Sequence, residues 1–165
     1  MKTLLLVRHA KSSWGDFTLP DFDRPLNERG KKDAPEMAKR LLARKISIDA
    51  FVSSPAKRAK KTCKLFCREF NEQEDKIIYV DRLYLAPAHA FFDVVKSLNN
   101  KFKTVAVFAH NPGITEFANS LCGEAAVDDM PTCAVFAIEI RTDDWAGLES
   151  AEKKFLFFDH PKNND

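Results

Sequence analysis

Three apolar runs in this chain each stop at a polar cluster, and that repetition constrains the fold more than any other feature. Leu4–Val7 runs into Arg8-His9-Ala10, Ala50–Ser53 into Ser53-Ser54-Pro55, and Thr104–Ala109 into His110-Asn111-Pro112-Gly113. The runs are rich in aliphatic and β-branched residues and read as strands. Leu4–Val7 has no polar interruption, as expected of a strand buried on both faces. Between the runs, apolar residues recur at helical spacing; Ala34, Met37, Ala38, Leu41 and Leu42 form one such stripe. Strands alternating with helices predict an α/β fold, a three-layer α/β/α sandwich with a mostly parallel central sheet.

The remaining elements follow from the same periods. Helix one has an ambiguous start, because Asn27 is a good N-cap but Pro35 then falls inside and should kink the helix or delay its regular part. Ala56–Phe70 predicts a second helix and Ile77–Val80 a third strand. Ala88, Phe91, Phe92, Val95 and Leu98 predict a third helix, and Ile114, Phe117, Ala118 and Leu121 a fourth. Cys133–Ile140 and Phe155–Phe158 read as a closing pair of strands, joined by the polar segment Arg141–Glu152. A chain of 165 residues fits one domain, taken as residues 1–161, with a frayed polar tail over 162–165. Its 14 Phe against 2 Trp and 2 Tyr predict a Phe-rich core.

Charge and cysteine usage exclude several classes. Lys+Arg 26 against Asp+Glu 24 gives +2, too balanced for a dedicated nucleic-acid binder. The apolar runs are too short to span a bilayer. The N-terminal Leu4–Val7 stretch is broken by Arg8 too soon for a signal peptide and reads as a core strand. Cys63 and Cys67 share a helix face, while Cys122 and Cys133 lie far off, which suits buried reduced thiols better than disulfides or zinc. The expected setting is the cytoplasm.

In a mostly parallel α/β sheet, ligands bind beyond the C-terminal strand ends, beside helix N-termini. Arg8, His9 and His110 occupy such ends, and Arg58 lies in the first turn of the helix after Ser53-Ser54. Arginine forks and helix N-termini offer several donors to the oxygens of a phosphoryl group, and a neutral imidazole among them can be a nucleophile. An Arg directly after four apolar residues is also expensive to bury without an anion.

Four stretches, LLLVRHAKSSW (Leu4–Trp14), DFDRPLNERG (Asp21–Gly30), SSPAKRAKKT (Ser53–Thr62) and FAHNPGI (Phe108–Ile114), stand in this order along the chain. Together they resemble the histidine phosphatase (phosphoglycerate-mutase-like) superfamily, and within it the SixA-type phosphohistidine phosphatases. The resemblance implies that His9 is the nucleophile that takes the phosphoryl group. Arg8, Arg58 and His110 would complete the phosphate pocket, with Ser12 within reach of the phosphate. It implies no metal and no other cofactor, and a phosphorylated protein or a small phosphorylated molecule as substrate, with neither nucleic acid nor membrane as partner. Two cations near His9 disfavour its protonated form and stabilise charge on the transferring group.

One position departs from the family pattern. Many SixA relatives read Leu-Tyr-Glu-Ala where this chain has Leu83-Tyr84-Leu85-Ala86, and Leu85 cannot protonate a leaving group. Glu116 sits on the fourth helix and reads as solvated. An alkoxide needs that proton, whereas the imidazole of phosphohistidine leaves neutral when its remote nitrogen is protonated, so the missing acid favours a P–N substrate. Hydrolysis of protein phosphohistidine is therefore the leading reading. A small-molecule phosphomonoesterase and a non-catalytic phosphoprotein-binding module are the alternatives. His89 and His160 stand outside any motif. Asp23 and Arg24 read as organising their loop, Asn111 and Gly113 as shaping the turn behind His110, and Trp14 as packing or rim. Lys57, Lys60, Lys61, Lys64 and Arg68 make one side of helix two basic, either as a solvated face or to steer an acidic phosphoprotein.

Overall fold

The computed structural model describes residues 1–123 and 126–163. Six strands form one sheet: β1 (Lys2–Arg8), β2 (Ala50–Ser53), β3 (Ile78–Tyr79), β4 (Thr104–Ala109), β5 (Val135–Ile140) and β6 (Lys153–Asp159). Their spatial order is β3-β2-β4-β1-β5-β6. The first four strands in that order run parallel, and the β5–β6 hairpin closes the edge antiparallel. Four helices cover the sheet: α1 (Glu28–Ala43), α2 (Lys57–Glu69), α3 (Ala88–Lys96) and α4 (Gly113–Leu121).

The period of two along each strand builds the three layers. Leu4 and Leu6 of β1, with Val105 and Val107 of β4, pack beneath α3 and α4. Leu5 and Val7, with Ala106 and Phe108, pack beneath α1 and α2. Both faces of the central strands β1 and β4 are thus dry, which is why β1 carries an unbroken aliphatic run. Phe66, Phe91, Phe108, Phe117 and Phe136 are among the largest fully buried side chains, so the core is Phe-rich as expected.

Three local expectations shift. Helix α1 starts at its Asn27 cap, whose side chain accepts from Gly30 N, and continues unbroken through Pro35. Strand β3 covers only Ile78–Tyr79, because the edge strand pairs with β2 at just Val52↔Ile78 and Ser53↔Tyr79. The tail is held in its described part: the Arg40 guanidinium donates to the carbonyls of His160, Pro161 and Asn163. Residues 164–165 of the expected frayed segment lie outside the described residues. All four cysteines are buried and free. Among the described residues, no helix is long and apolar enough to cross a membrane.

Candidate active site

Strand register brings the polar clusters together. Arg8 pairs with Ala109 across β1–β4, and Ser53 with Phe108 across β2–β4. The residues that follow, His9, His110 and Ser54, therefore emerge side by side at the same end of the sheet. Backbone bonds fix the exit: His9 N donates to Ala109 O at 3.0 Å and Ser54 N to Phe108 O at 2.9 Å. Helix α2 begins three residues after Ser54, which carries Arg58 back over this end. Thr62 clamps the joint by donating to Arg58 O and accepting from Ala10 N.

The result is a pocket of about 190 Å³ lined by Arg8, His9, Ser12, Arg58 and His110, together with Lys11, Trp14, Arg24, Asn111 and Thr132. All five residues expected at the site line this one cavity. The rings of His9 and His110 lie 5.2 Å apart. His9 Nδ1 is 2.8 Å from the Ala10 carbonyl, an acceptor only, so Nδ1 carries the proton and Nε2 keeps a lone pair. That Nε2 receives a long 3.4 Å hydrogen bond from Arg58 Nε. His110 Nε2 is 2.8 Å from the Ser54 hydroxyl.

Both imidazoles are held neutral. Burial pushes His9 down to about 3; the Ala10 carbonyl opposes the shift, and the guanidinium charges of Arg58, Arg8 and Arg24 add to it. Burial likewise lowers His110 to about 3, followed by the neighbouring His9 and Arg58, with Asp21 opposing. Two buried polar atoms of the pocket residues, Arg8 Nε and His110 Nδ1, have no hydrogen-bond partner among the described residues. An unpaired buried guanidinium N–H is costly, so Arg8 Nε favours an acceptor beside it.

A residue that sequence reasoning missed stands beside these. Asp21 accepts from Arg58 Nη2 at 3.0 Å through its carboxylate and from Arg58 Nη1 at 2.7 Å through its carbonyl. Its carboxylate also accepts from Arg24 Nε and from the Tyr84 hydroxyl. Burial tends to raise the Asp21 pKa, but the bonds from Tyr84 and Arg58 and the Arg58 charge together hold it down to about 2. Asp21 is therefore an anion that fixes two arginines. Its signals in the sequence were its place at the head of the stretch Asp21–Gly30 and three residues before Arg24.

Arg24 does more than organise its loop. It lines the pocket, donates to Ser12 Oγ at 2.7 Å, and stacks 3.6 Å over the exposed Trp14 ring. Ser12 is thereby oriented, and Trp14 forms the rim. Asn111 acts behind the site, donating to Asp129 and Met130 O while the Met130 carbonyl accepts from Arg8 Nη1 at 2.8 Å. Gly113 is required by close approach: a Cβ there would lie 1.7 Å from Ala86 O. This contact presses residues 84–86 against the N-terminus of α4, and Tyr84 packs edge-on against His110 at 5.6 Å. Leu85, between them, is 55% exposed. Glu116 and His89 are exposed, and His160 is half-buried outside the pocket.

Residues 4–84 match the model of the histidine phosphatase superfamily (branch 1). The same architecture recurs in a putative phosphohistidine phosphatase SixA from Agrobacterium tumefaciens, with a TM-score of 0.81, 26% identity, and coverage of 95% of this chain and 96% of that one. The chain belongs to the histidine phosphatase superfamily. The protein histidine phosphatase SixA complexed with tungstate also superposes at TM-score 0.81, with 21% identity over 96% of this chain and 97% of that one, a likeness of fold. An uncharacterized chloroplastic protein of Arabidopsis thaliana is 28% identical over 152 residues, covering 87% of this chain and 69% of its own length. This superfamily chain is thus a phosphatase of SixA-like architecture.

Proposed function

We propose that this phosphatase hydrolyses phosphohistidine in proteins through a phosphoryl intermediate on His9 Nε2. The observation that carries the reading is an unprotonated, buried nucleophile facing cations, in a cavity whose Arg8 Nε and His110 Nδ1 lack partners among the described residues. The phosphoryl oxygens would bind Arg8, Arg58, Ser12 and His110. If the Ser54 hydroxyl donates to His110 Nε2, then Nδ1 carries the proton and donates to a phosphoryl oxygen. In the first step the Nε2 lone pair forms a bond to phosphorus while the substrate P–N bond breaks, and that electron pair returns to the leaving imidazole. Water then attacks phosphorus, the Nε2–P bond breaks with its electron pair returning to Nε2, and the phosphate leaves as dihydrogenphosphate carrying both water protons, with His9 neutral again. The guanidinium groups stabilise the charge spread over the transferring group in both steps.

The absent acid favours P–N over P–O substrates. Asp21 is too acidic to donate a proton at neutral pH, and Leu85 has none to give. A leaving imidazole with its remote nitrogen protonated departs without one. The catalytic unit is taken as one domain over residues 1–161. The four free, buried thiols suit the reducing cytoplasm. The test presents the protein with a phosphohistidine carrier and with an alkyl phosphate. Faster release of phosphate from the carrier, with an acid-labile, base-stable label on His9 after rapid quench, supports the reading. Preference for the alkyl phosphate returns it to a small-molecule phosphomonoesterase, and binding without turnover returns it to a phosphoprotein reader.

A further inference from the structure

A second cavity, of about 620 Å³, lies between α2 and the segment 22–31 and takes no part in the chemistry above. Lys31, Lys57, Lys60, Lys61 and Lys64 wall it; its apolar surface comes from Phe22, Pro25, Leu26 and Pro55, and its one acidic residue is Asp23. Among the described residues, none of the four α2 lysines forms an ion pair, whereas Lys31 lies 3.4 Å from Glu28. Helix α2 is a poor place for such charges. Its first turn holds basic residues and no acidic ones, against the positive end of the helix dipole. Lys57, Lys60, Lys61 and Lys64 also stand three and four residues apart, so like charges face one another. An anionic partner would relieve both costs.

We propose that this lysine-walled groove is the docking site for an acidic segment of the phosphoprotein substrate. The identity of the partner rests on the reading above. The groove and the pocket lie against the same two elements. In the turn Asp21–Asp23, Asp21 holds Arg58 while Phe22 and Asp23 line the groove. On α2, buried Arg58 faces the pocket while the lysines face the groove. A chain lying in the groove therefore rests against the two elements that hold Arg58. Phe22 in the groove lining is open to solvent, and the loop that precedes it exposes Trp14 to 66% and Phe17 to 93%. Apolar side chains beside a cationic groove match an acidic protein surface with apolar residues of its own. A nucleic acid, with a charge at every phosphate, would meet a chain of net charge only +2.

The test uses a fluorescein-labelled amphipathic peptide of Glu and Leu, read by anisotropy. The wild-type protein should bind it with an affinity that falls as salt rises, and His9→Ala should bind it equally well. The triple variant Lys60→Gln/Lys61→Gln/Lys64→Gln should bind about tenfold more weakly or worse, while hydrolysing phosphoramidate at the wild-type rate. Circular dichroism melting checks that the variant is folded. On a phosphohistidine carrier the same variant should raise KM and leave kcat unchanged. Unaltered peptide binding by the triple variant overturns the proposal, as does loss of peptide binding on saturating the pocket with tungstate. Tighter binding of a single-stranded oligonucleotide of equal charge overturns it in favour of nucleic acid. If the wild type leaves the carrier untouched yet the triple variant still loses the peptide, the docking site stands and the phosphohistidine reading falls.

Discussion

His9 owes its readiness to a few contacts, each removable. The Ala10 carbonyl fixes its tautomer, and burial with three guanidinium groups keeps it unprotonated. His9→Ala is expected to abolish turnover while retaining tungstate binding, because the cations remain; calorimetric titration and phosphate release measure the two separately. Arg58→Ala should lose roughly a hundredfold in kcat/KM, since the same charge serves bound substrate and transition state. Asp21→Asn should act in two directions. Its carboxylate offsets the Arg58 and Arg24 charges, so its removal is expected to tighten phosphate binding several-fold, on the order of 1 kcal/mol. It should also lower kcat, because Arg58 loses the partner that positions it. Weaker phosphate inhibition in Asp21→Asn would contradict this account. The residue pattern foresaw Arg8, His9, Arg58 and His110 at one cavity, yet it missed Asp21, whose partners Arg58 and Tyr84 are 37 and 63 residues away in sequence.

At the scale of elements, the site depends on how strand ends and helix starts are joined. Strands β2 and β4 fall on the ranges read from the sequence, because continuous apolar runs between polar clusters leave little freedom in their ends. Strand β3 is shorter because an edge strand pairs on one side only. Helix α4 is seated by Gly113 against the Ala86 carbonyl. Gly113→Ala forces backbone apart rather than a flexible side chain. A loss of about 2–3 kcal/mol is expected, measured by urea unfolding, with reduced activity because residues 84–86 and Tyr84 move away from His110. Helix α2 should respond oppositely: the triple lysine-to-glutamine variant is expected to raise the melting temperature, since it removes repulsion along the helix and at its positive end.

For the whole molecule, the buried imidazoles make stability depend on pH. In the unfolded chain each histidine titrates near 6.5, while folded His9 and His110 stay neutral down to about 3. Between those values the unfolded state binds more protons, so stability is fully present above pH 6.5 and is lost as pH falls toward 3. Each histidine contributes a slope of up to about 1.4 kcal/mol per pH unit in that window. Asp21 adds a further loss only below its ordinary 3.8, as pH approaches 2. Melting curves from pH 8 to pH 4 should show the decline starting near 6.5, and His110→Gln should shallow it. Sulfate should raise the melting temperature more at pH 5 than at pH 7, because a bound dianion offsets the cations that keep the imidazoles neutral. A flat profile over this range would mean that the imidazoles are not held as described.

The sequence by itself determined the three-layer α/β architecture, the Phe-rich core, and the cavity residues Arg8, His9, Arg58 and His110. Apolar period and strand-end polarity are local properties, and a parallel sheet converts shared strand ends into shared space. Only the tertiary structure decided the rest. Asp21 meets Arg58 and Tyr84, Arg24 turns Ser12 inward, and α1 keeps its course through Pro35. Side-chain pairing across loops depends on how layers pack, not on spacing along the chain. The basic face of α2 was legible as charge, but that it walls a groove required the turn Asp21–Asp23 to fold against it.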